Sequence, residues 1–147
     1  WMHLALVVDC DVAQSNPSEK YKLYINGSRV AWGEIKRNDL NFSEIDLCTG
    51  NDGGKISIGK ASDNNRFLGG AVLEARIWSV VRSASQIQNN MTQVSPKSVG
   101  LEAYWRFNEG QGNVFEDATG KGHTLTTSAT PTWIDGILST DKSTEWK

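Results

Sequence analysis

The chain contains 147 residues with a formal net charge of −2 at pH 7, and its charged residues are spread along the sequence. This length is sufficient for one domain with a hydrophobic core. The charge balance gives no electrostatic footprint for nucleic acid or an anionic membrane, and no apolar run is long enough to cross a bilayer. We therefore expect a single soluble globular domain over residues 1–147, without nucleic-acid binding or direct membrane insertion.

Residues 1–9 predict a mostly apolar strand. Alternation along a strand would place Leu4, Leu6 and Val8 on one face, and His3, Ala5 and Val7 on the other. Because Trp1 already lies inside this strand, we expect the chain to begin in the middle of a domain, with a processed mature N-terminus as the alternative. The polar segment 14–18 predicts a break before the next strand.

The strongest local signal is the Asn26-Gly27 pair within Tyr21–Trp32. Both central residues of a type I′ turn need positive φ, which Asn and Gly tolerate best. Residues that favour strands flank the pair on both sides, so this segment predicts a hairpin of two antiparallel strands.

Beyond the hairpin, polar loops alternate with strand patterns. Residues 33–54 are irregular and rich in Asp and Asn, and residues 61–66 predict a polar loop. Strands are predicted at 55–59, 67–81, 101–107, 123–126 and 133–134. A Gly69-Gly70 pair near the start of the second of these predicts a bulge or a sharp bend.

One helix is predicted after residue 82. Ser83 can cap this helix, and Gln86, three residues later, completes a capping box. Ile87 and Met91 would then share one helical face, and Ser95-Pro96 should end the helix. Several short strands, Gly-rich turns and one short helix favour an all-β fold, an antiparallel β-sandwich or jelly roll.

Four segments in this order resemble the laminin-G-like, concanavalin A-type jelly-roll domains, a group that includes the pentraxin-like proteins. They are residues 1–9, the Lys22–Gly27 strand and turn, Ile58-Gly59 leading into Phe67–Trp78, and Arg82–Ile87. Residues 100–110 and 117–120 also resemble this family. The resemblance implies a concanavalin A-like sandwich that here lacks its N-terminal strands. We expect those strands to come from a longer parent polypeptide or from another chain.

The resemblance implies non-catalytic recognition of a glycan ligand by a module of an extracellular or cell-surface protein. A protein–protein adhesion or structural module is the alternative, followed by a glucanase-type glycoside hydrolase. Glu44-Ile45-Asp46 matches part of the catalytic strand motif of the related retaining glucanases, which ends in a second Glu. Cys48 occupies that position here, and retaining chemistry needs two carboxyl groups roughly 5 Å apart. We therefore expect that the protein is not an enzyme.

Candidate glycan contacts follow from residue chemistry. Trp32 ends the predicted hairpin beside polar residues, where its ring could stack on the apolar face of a sugar. Asp63, Asn64 and Arg66 belong to the polar loop at 61–66 and would bind sugar hydroxyl groups. We expect the glycan site at these four residues, on rim loops or on the concave sheet face.

Calcium is the one cofactor that the sequence suggests. Hard oxygen ligands cluster at Asn51-Asp52 and at 63–65, and Asp117 lies in a Gly-rich turn. Members of the resembled family often hold calcium at the rim of the sandwich, and Asp63 is the predicted metal ligand. The alternative is that these Asx residues only form turns, because their side chains hydrogen-bond to local backbone.

The tryptophans and cysteines add further expectations. Trp1, Trp78 and Trp105 lie within strand patterns and are predicted to be core residues. Cys10 and Cys48 are compatible with one disulfide or with two buried thiols, and their spacing is not that of a metal site.

Overall fold

The computed structural model describes residues 1–31, 48, 56–59 and 66–134. These residues form two compact units. The first consists of the described residues within Trp1–Lys55 and Val81–Val94, and the second of those within Ile56–Val80 and Ser95–Glu145. The strands described in both units pair antiparallel, which confirms the predicted all-β class.

The first unit is a three-stranded sheet with two short helices. Its elements are β1 (Leu4–Val8), α1 (Pro17–Lys20), β2 (Tyr21–Ile25), β3 (Ser28–Arg29) and α2 (Ala84–Asn89). The strand order is β1-β2-β3, with both pairs antiparallel. Helix α1 lies in the segment for which the sequence predicted only a polar break, and Pro17 stands at its first turn, where a missing N–H costs nothing.

The predicted hairpin is confirmed. Asn26 and Gly27 have φ values of 48° and 78°, as a type I′ turn requires. The Asn26 side chain also ties this turn to β1, because its Oδ1 accepts a hydrogen bond from the His3 amide at 2.9 Å. The Asn26 amide donates in return to the His3 carbonyl at 2.9 Å. The turn residue therefore sets the register of the β1–β2 pair as well as reversing the chain.

Helix α2 begins where the sequence predicted. The Ser83 hydroxyl accepts the Gln86 amide at 3.2 Å, and the Gln86 side chain accepts the Ser83 amide at 3.0 Å. Both hydrogen bonds of the capping box are therefore present. Ile87 of this helix packs with Val7 and Tyr24 in the core of the first unit.

The two faces of β1 have different environments. Ala5 and Val7 face the core, whereas Leu4 and Leu6 are 61% and 62% exposed. The sequence predicted which residues share a face but not which face is buried. Trp1 is 51% exposed, so its prediction as a core residue is wrong. It precedes the paired part of β1, which starts opposite Ile25, and no strand of this sheet covers it.

Cys10 and Cys48 form a disulfide with a Cα–Cα distance of 5.6 Å. This bond resolves the alternative that the sequence left open. It links two residues that are 38 positions apart, and it attaches Cys48 to the segment that follows β1.

The second unit contains two strand pairs. They are formed by β4 (Ala75–Trp78) with β5 (Leu101–Trp105), and by β6 (Val114–Phe115) with β7 (Leu125–Thr126). Trp105 is 3% exposed, which confirms it as a core residue, and Trp78 is half-buried. The indole N–H of Trp105 donates to the His123 carbonyl at 2.6 Å.

Several predicted strands are shorter or missing. Of the predicted 67–81 strand, only Ala75–Trp78 pairs with another strand, and Phe67 forms an isolated bridge. The strand is short because it persists only where another strand lies opposite. β5 ends two residues early because Phe107 has a φ of 48°, which is incompatible with a strand. Residues 56–59 and 133–134 are not strands. In the described part of the chain, neither helix has the length and apolar character needed to cross a bilayer.

Candidate functional site

A polar cluster occupies one face of the β4–β5 pair. Arg76 in β4 lies directly opposite Tyr104 in β5, so their side chains share a face of the sheet. Glu74 and Arg106 immediately flank the paired strands, and period-two alternation places them on the same face. We call Glu74, Arg76, Tyr104 and Arg106 the Tyr104 cluster.

Glu74 holds the cluster together. Its Oε2 accepts a hydrogen bond from the Tyr104 hydroxyl at 2.7 Å. Its Oε1 forms an ion pair with Nη2 of Arg76, whose side chain is only 9% exposed. Burial, followed by the hydrogen bond to the Glu74 carboxylate, raises the pKa of Tyr104 above its ordinary value. Both oxygens of Glu74 are therefore occupied within the cluster.

Two guanidinium groups contact the Tyr104 ring. The Cζ atoms of Arg76 and Arg106 lie 5.2 Å and 5.1 Å from the ring centroid. Both distances are within the range of cation–π attraction. Arg76 is largely buried, whereas Arg106 is exposed to solvent. The cluster thus presents one accessible guanidinium that is held over a buried aromatic ring.

A hydrogen-bonded loop lies along the edge of β5 and binds the backbone of Tyr104. Asp117 is 8% exposed, and its carboxylate accepts the amides of Tyr104 at 3.1 Å, Thr119 at 3.0 Å and His123 at 3.2 Å. The Thr119 hydroxyl donates to both carboxylate oxygens at 2.8 Å. The Ala118 amide donates to the Tyr104 carbonyl at 2.8 Å. Both backbone polar groups of Tyr104 are therefore fixed by this loop.

The electrostatics of Asp117 reflect these donors. Burial by itself raises the pKa of this carboxyl, but the hydrogen bonds from Thr119, Tyr104 and His123 outweigh it and lower the pKa to about 2. Asp117 is therefore ionised in the folded protein at neutral pH.

Asp117 does not fit the calcium site for which it was one candidate. Its oxygens already accept hydrogen bonds from N–H and O–H donors, which point their hydrogens at the position that a cation would need. Within the ranges that the structure describes, no group of three or more His, Cys, Asp or Glu residues could hold a metal. For Asp117, the turn-forming alternative describes the observed hydrogen bonds.

Most of the predicted site residues lie outside the described residues. This applies to the predicted glycan contacts Trp32, Asp63 and Asn64, and equally to Glu44, Asp46, Asn51 and Asp52. Arg66 is described and is exposed, next to Phe67. The predicted glycan contacts and the calcium prediction at Asp63 therefore stay predictions.

The Tyr104 cluster was not predicted, although the sequence contains a signal for it. Glu74 and Arg76, and likewise Tyr104 and Arg106, are separated by one apolar residue each, which predicts a polar face on both strands. What no local pattern predicts is the register that sets Arg76 against Tyr104, because these residues are distant in sequence.

Comparison with known proteins agrees with the antiparallel all-β fold. A laminin G family model, described as the concanavalin A-like lectin/glucanases superfamily, matches residues 1–88. A crystal structure described as that of "a putative carbohydrate binding protein" from Bacteroides ovatus ATCC 8483 is similar over 90% of this chain, with 26% sequence identity and a TM-score of 0.50. The matched region spans 38% of that longer chain. No match was found among curated proteins.

The family match confirms the resemblance and the fold class predicted from the sequence. It extends from the first strand into helix α2 and covers more than half of the chain. The protein belongs to the concanavalin A-like lectin/glucanase superfamily.

Proposed function

We propose that this protein is a non-catalytic carbohydrate-binding module of an extracellular or cell-surface protein. The observation that carries the proposal is the similarity, over 90% of this chain, to the crystal structure described as that of "a putative carbohydrate binding protein". Membership of a lectin and glucanase superfamily supports the same ligand class. Because one fold hosts many functions, the proposal needs a direct binding test.

The disulfide supports the proposed location. Disulfides persist in oxidising compartments and are rare in the cytosol. Cys10 and Cys48 have the spacing of an ordinary disulfide, with their Cα atoms 5.6 Å apart. This chemistry fits a secreted or surface-exposed module.

Two observations on the acidic residues support the proposal of binding without catalysis. The Glu44-Ile45-Asp46 segment lacks the second Glu of the retaining glucanases, since Cys48 stands in its place and is disulfide-bonded. On the β4–β5 face, the Glu74 carboxylate is engaged by the Arg76 guanidinium and the Tyr104 hydroxyl group. Both observations support recognition rather than hydrolysis.

The proposed contacts combine ring stacking with polar groups. Trp32 would stack on a sugar ring, and Asp63, Asn64 and Arg66 would bind hydroxyl groups. We also propose that Asp63 contributes to a calcium site at this loop. Arg66 has the solvent exposure that such a contact needs.

A glycan array, probed with the purified protein in calcium and again in EDTA, tests the proposal. Selective binding to a set of glycans supports it, and loss of that binding in EDTA supports the calcium site. Trp32→Ala should lower the affinity for the selected glycan at least tenfold, and unchanged affinity would remove Trp32 from the site. Release of reducing sugars from the bound glycan would instead identify a hydrolase. Absence of any glycan binding, with a protein partner retained in pull-down, would identify an adhesion or structural module.

A further inference from the structure

We propose that Arg106 binds the carboxylate of an acidic saccharide, such as a uronic acid residue. This inference rests on the proposed carbohydrate-binding function and specifies the chemical class of its ligand. It is carried by the charge balance of the Tyr104 cluster, by the way in which Arg106 is held, and by the backbone next to it.

Within the Tyr104 cluster, the charge balance leaves Arg106 without an anion. The Tyr104 cluster contains two guanidinium groups and one carboxylate, and that carboxylate uses one oxygen for Arg76 and the other for the Tyr104 hydroxyl. Among the described residues, Arg106 has no ion pair. A guanidinium with unused N–H donors matches the geometry of a carboxylate, which it can bind with two parallel hydrogen bonds.

The Arg106 guanidinium also contacts an aromatic ring, which restricts its side chain. Its Cζ lies 5.1 Å from the centroid of the Tyr104 ring, and that ring is 4% exposed and fixed by Glu74 through its hydroxyl group. The backbone of Tyr104 is fixed in turn by Asp117. A side chain that is already ordered loses less conformational freedom on binding, so more of its interaction energy contributes to affinity.

The backbone after Arg106 is strained. Phe107 has a φ of 48°, a left-handed conformation that bulky L residues rarely adopt. Such strain persists only where the surrounding structure imposes it, and strained residues concentrate at ligand sites. Here Arg106 is the first residue after β5, and the left-handed Phe107 follows it directly.

A sugar carboxylate fits this position better than an acidic peptide. One accessible cation flanked by a buried ring provides a single anion contact, which suits a saccharide that carries one carboxylate per ring. An acidic peptide carries carboxylates on flexible side chains and would be recognised better by several cations together. Within the Tyr104 cluster, Arg106 is the exposed guanidinium, while the Arg76 side chain is largely buried.

Isothermal titration with a galacturonic acid hexamer and its methyl ester tests the inference, because esterification removes the charge and keeps the sugar rings. We expect the wild-type protein to bind the acid at least tenfold more tightly than the ester. Arg106→Gln should remove this preference: the affinity for the acid should fall about tenfold, and the affinity for the ester should change less than twofold. Lys97→Gln removes an exposed positive charge from the same unit and should change neither affinity.

A conservative variant, thermal unfolding and a competing acidic polymer separate a specific role of Arg106 from loss of folding or of charge. Arg106→Lys retains the charge but not the planar fork, so we expect a loss of three- to fivefold for the acid, with the thermal unfolding midpoint recorded for every variant. Unchanged affinity of both Arg106 variants for the acid would overturn the inference. Equal affinity of the wild-type protein for the acid and the ester would also overturn it. So would tighter binding of the wild-type protein to polyglutamate, titrated in the same way, than to the galacturonic acid hexamer. If the array finds only neutral glycans, the carbohydrate function stands and the role of Arg106 fails. If it finds none, both fail.

Discussion

Asp117→Asn should lower the free energy of unfolding at pH 7 by about 2–3 kcal/mol. The carboxylate accepts three backbone amides and one hydroxyl group, all within 3.2 Å. Asparagine keeps one acceptor oxygen but places an NH₂ group where donors already point. Buried donors such as the Tyr104 amide then compete for a single oxygen, and the loop loses the charge that strengthens these hydrogen bonds.

The same carboxylate makes stability depend on pH. Its pKa is about 2 in the folded protein, against an ordinary value of 3.8. This pKa difference corresponds to a contribution of at most about 2.5 kcal/mol to the free energy of unfolding. Because the neighbouring residues Gly120 and Lys121 are exposed, solvent screening lowers the figure to about 1–2 kcal/mol. Since folding depresses this pKa, the stabilisation is present above about pH 4 and is lost as the pH falls toward 2.

The contribution of ionised Asp117 to stability can be measured by urea unfolding of the wild type and of Asp117→Asn between pH 7 and pH 2. Circular dichroism and tryptophan fluorescence would follow the unfolding. The stability difference between the two proteins should narrow by about 1–2 kcal/mol as the pH falls from 5 to 2. Asp11→Asn, at an exposed aspartate, serves as the matched control and should change stability by less than about 0.5 kcal/mol. A difference that stays constant across this pH range would refute the reasoning, because protonation of Asp117 would then have no effect on folding.

Two further predictions concern chain constraints. Replacing Cys10 and Cys48 together by serine should lower the free energy of unfolding by about 4 kcal/mol, because the disulfide links residues 38 positions apart. Chemical denaturation of the variant, and of the wild type with and without reductant, measures this loss. Equal stability of the reduced and oxidised protein would contradict it. Gly27→Ala should lower the free energy of unfolding by about 2 kcal/mol, since φ is 78° and a Cβ would lie 3.2 Å from the backbone of Gln88. Gly59→Ala should lower it by about 1 kcal/mol, because φ is 79° but no atom lies within 4 Å of the added Cβ. Thermal unfolding of the two glycine variants gives this comparison, and equal losses would show that contact with helix α2 is irrelevant.

Much of the local structure could be predicted from the sequence. Asn26-Gly27 predicted a turn with positive φ at both residues, and Ser83 with Gln86 predicted a capping box. Each of these features depends on residues within a few positions of one another, so the local sequence contains all the interacting groups. The predicted 67–81 strand was too long for the opposite reason, since its length depends on a partner strand, Leu101–Trp105, that is distant in sequence.

The candidate site was less predictable than the fold. Among the four predicted contacts, Arg66 is exposed, and the other three lie outside the described residues, so their role stays a prediction. The Tyr104 cluster requires the β4–β5 register, and that register depends on two segments packing against each other. A shift of one residue would turn Arg106 to the opposite face, which is why its role could not be inferred from the strand pattern alone.

The sequence by itself determined the antiparallel all-β class, the family, the hairpin turn and the start of helix α2, because these follow from backbone preferences and short-range hydrogen bonds. Only the tertiary structure decided which face of β1 is buried, that Cys10 pairs with Cys48, and that Asp117 secures Tyr104. These outcomes depend on contacts between segments far apart in the chain. Such contacts form only when burial and hydrogen bonding together outweigh the entropy lost in bringing the segments together.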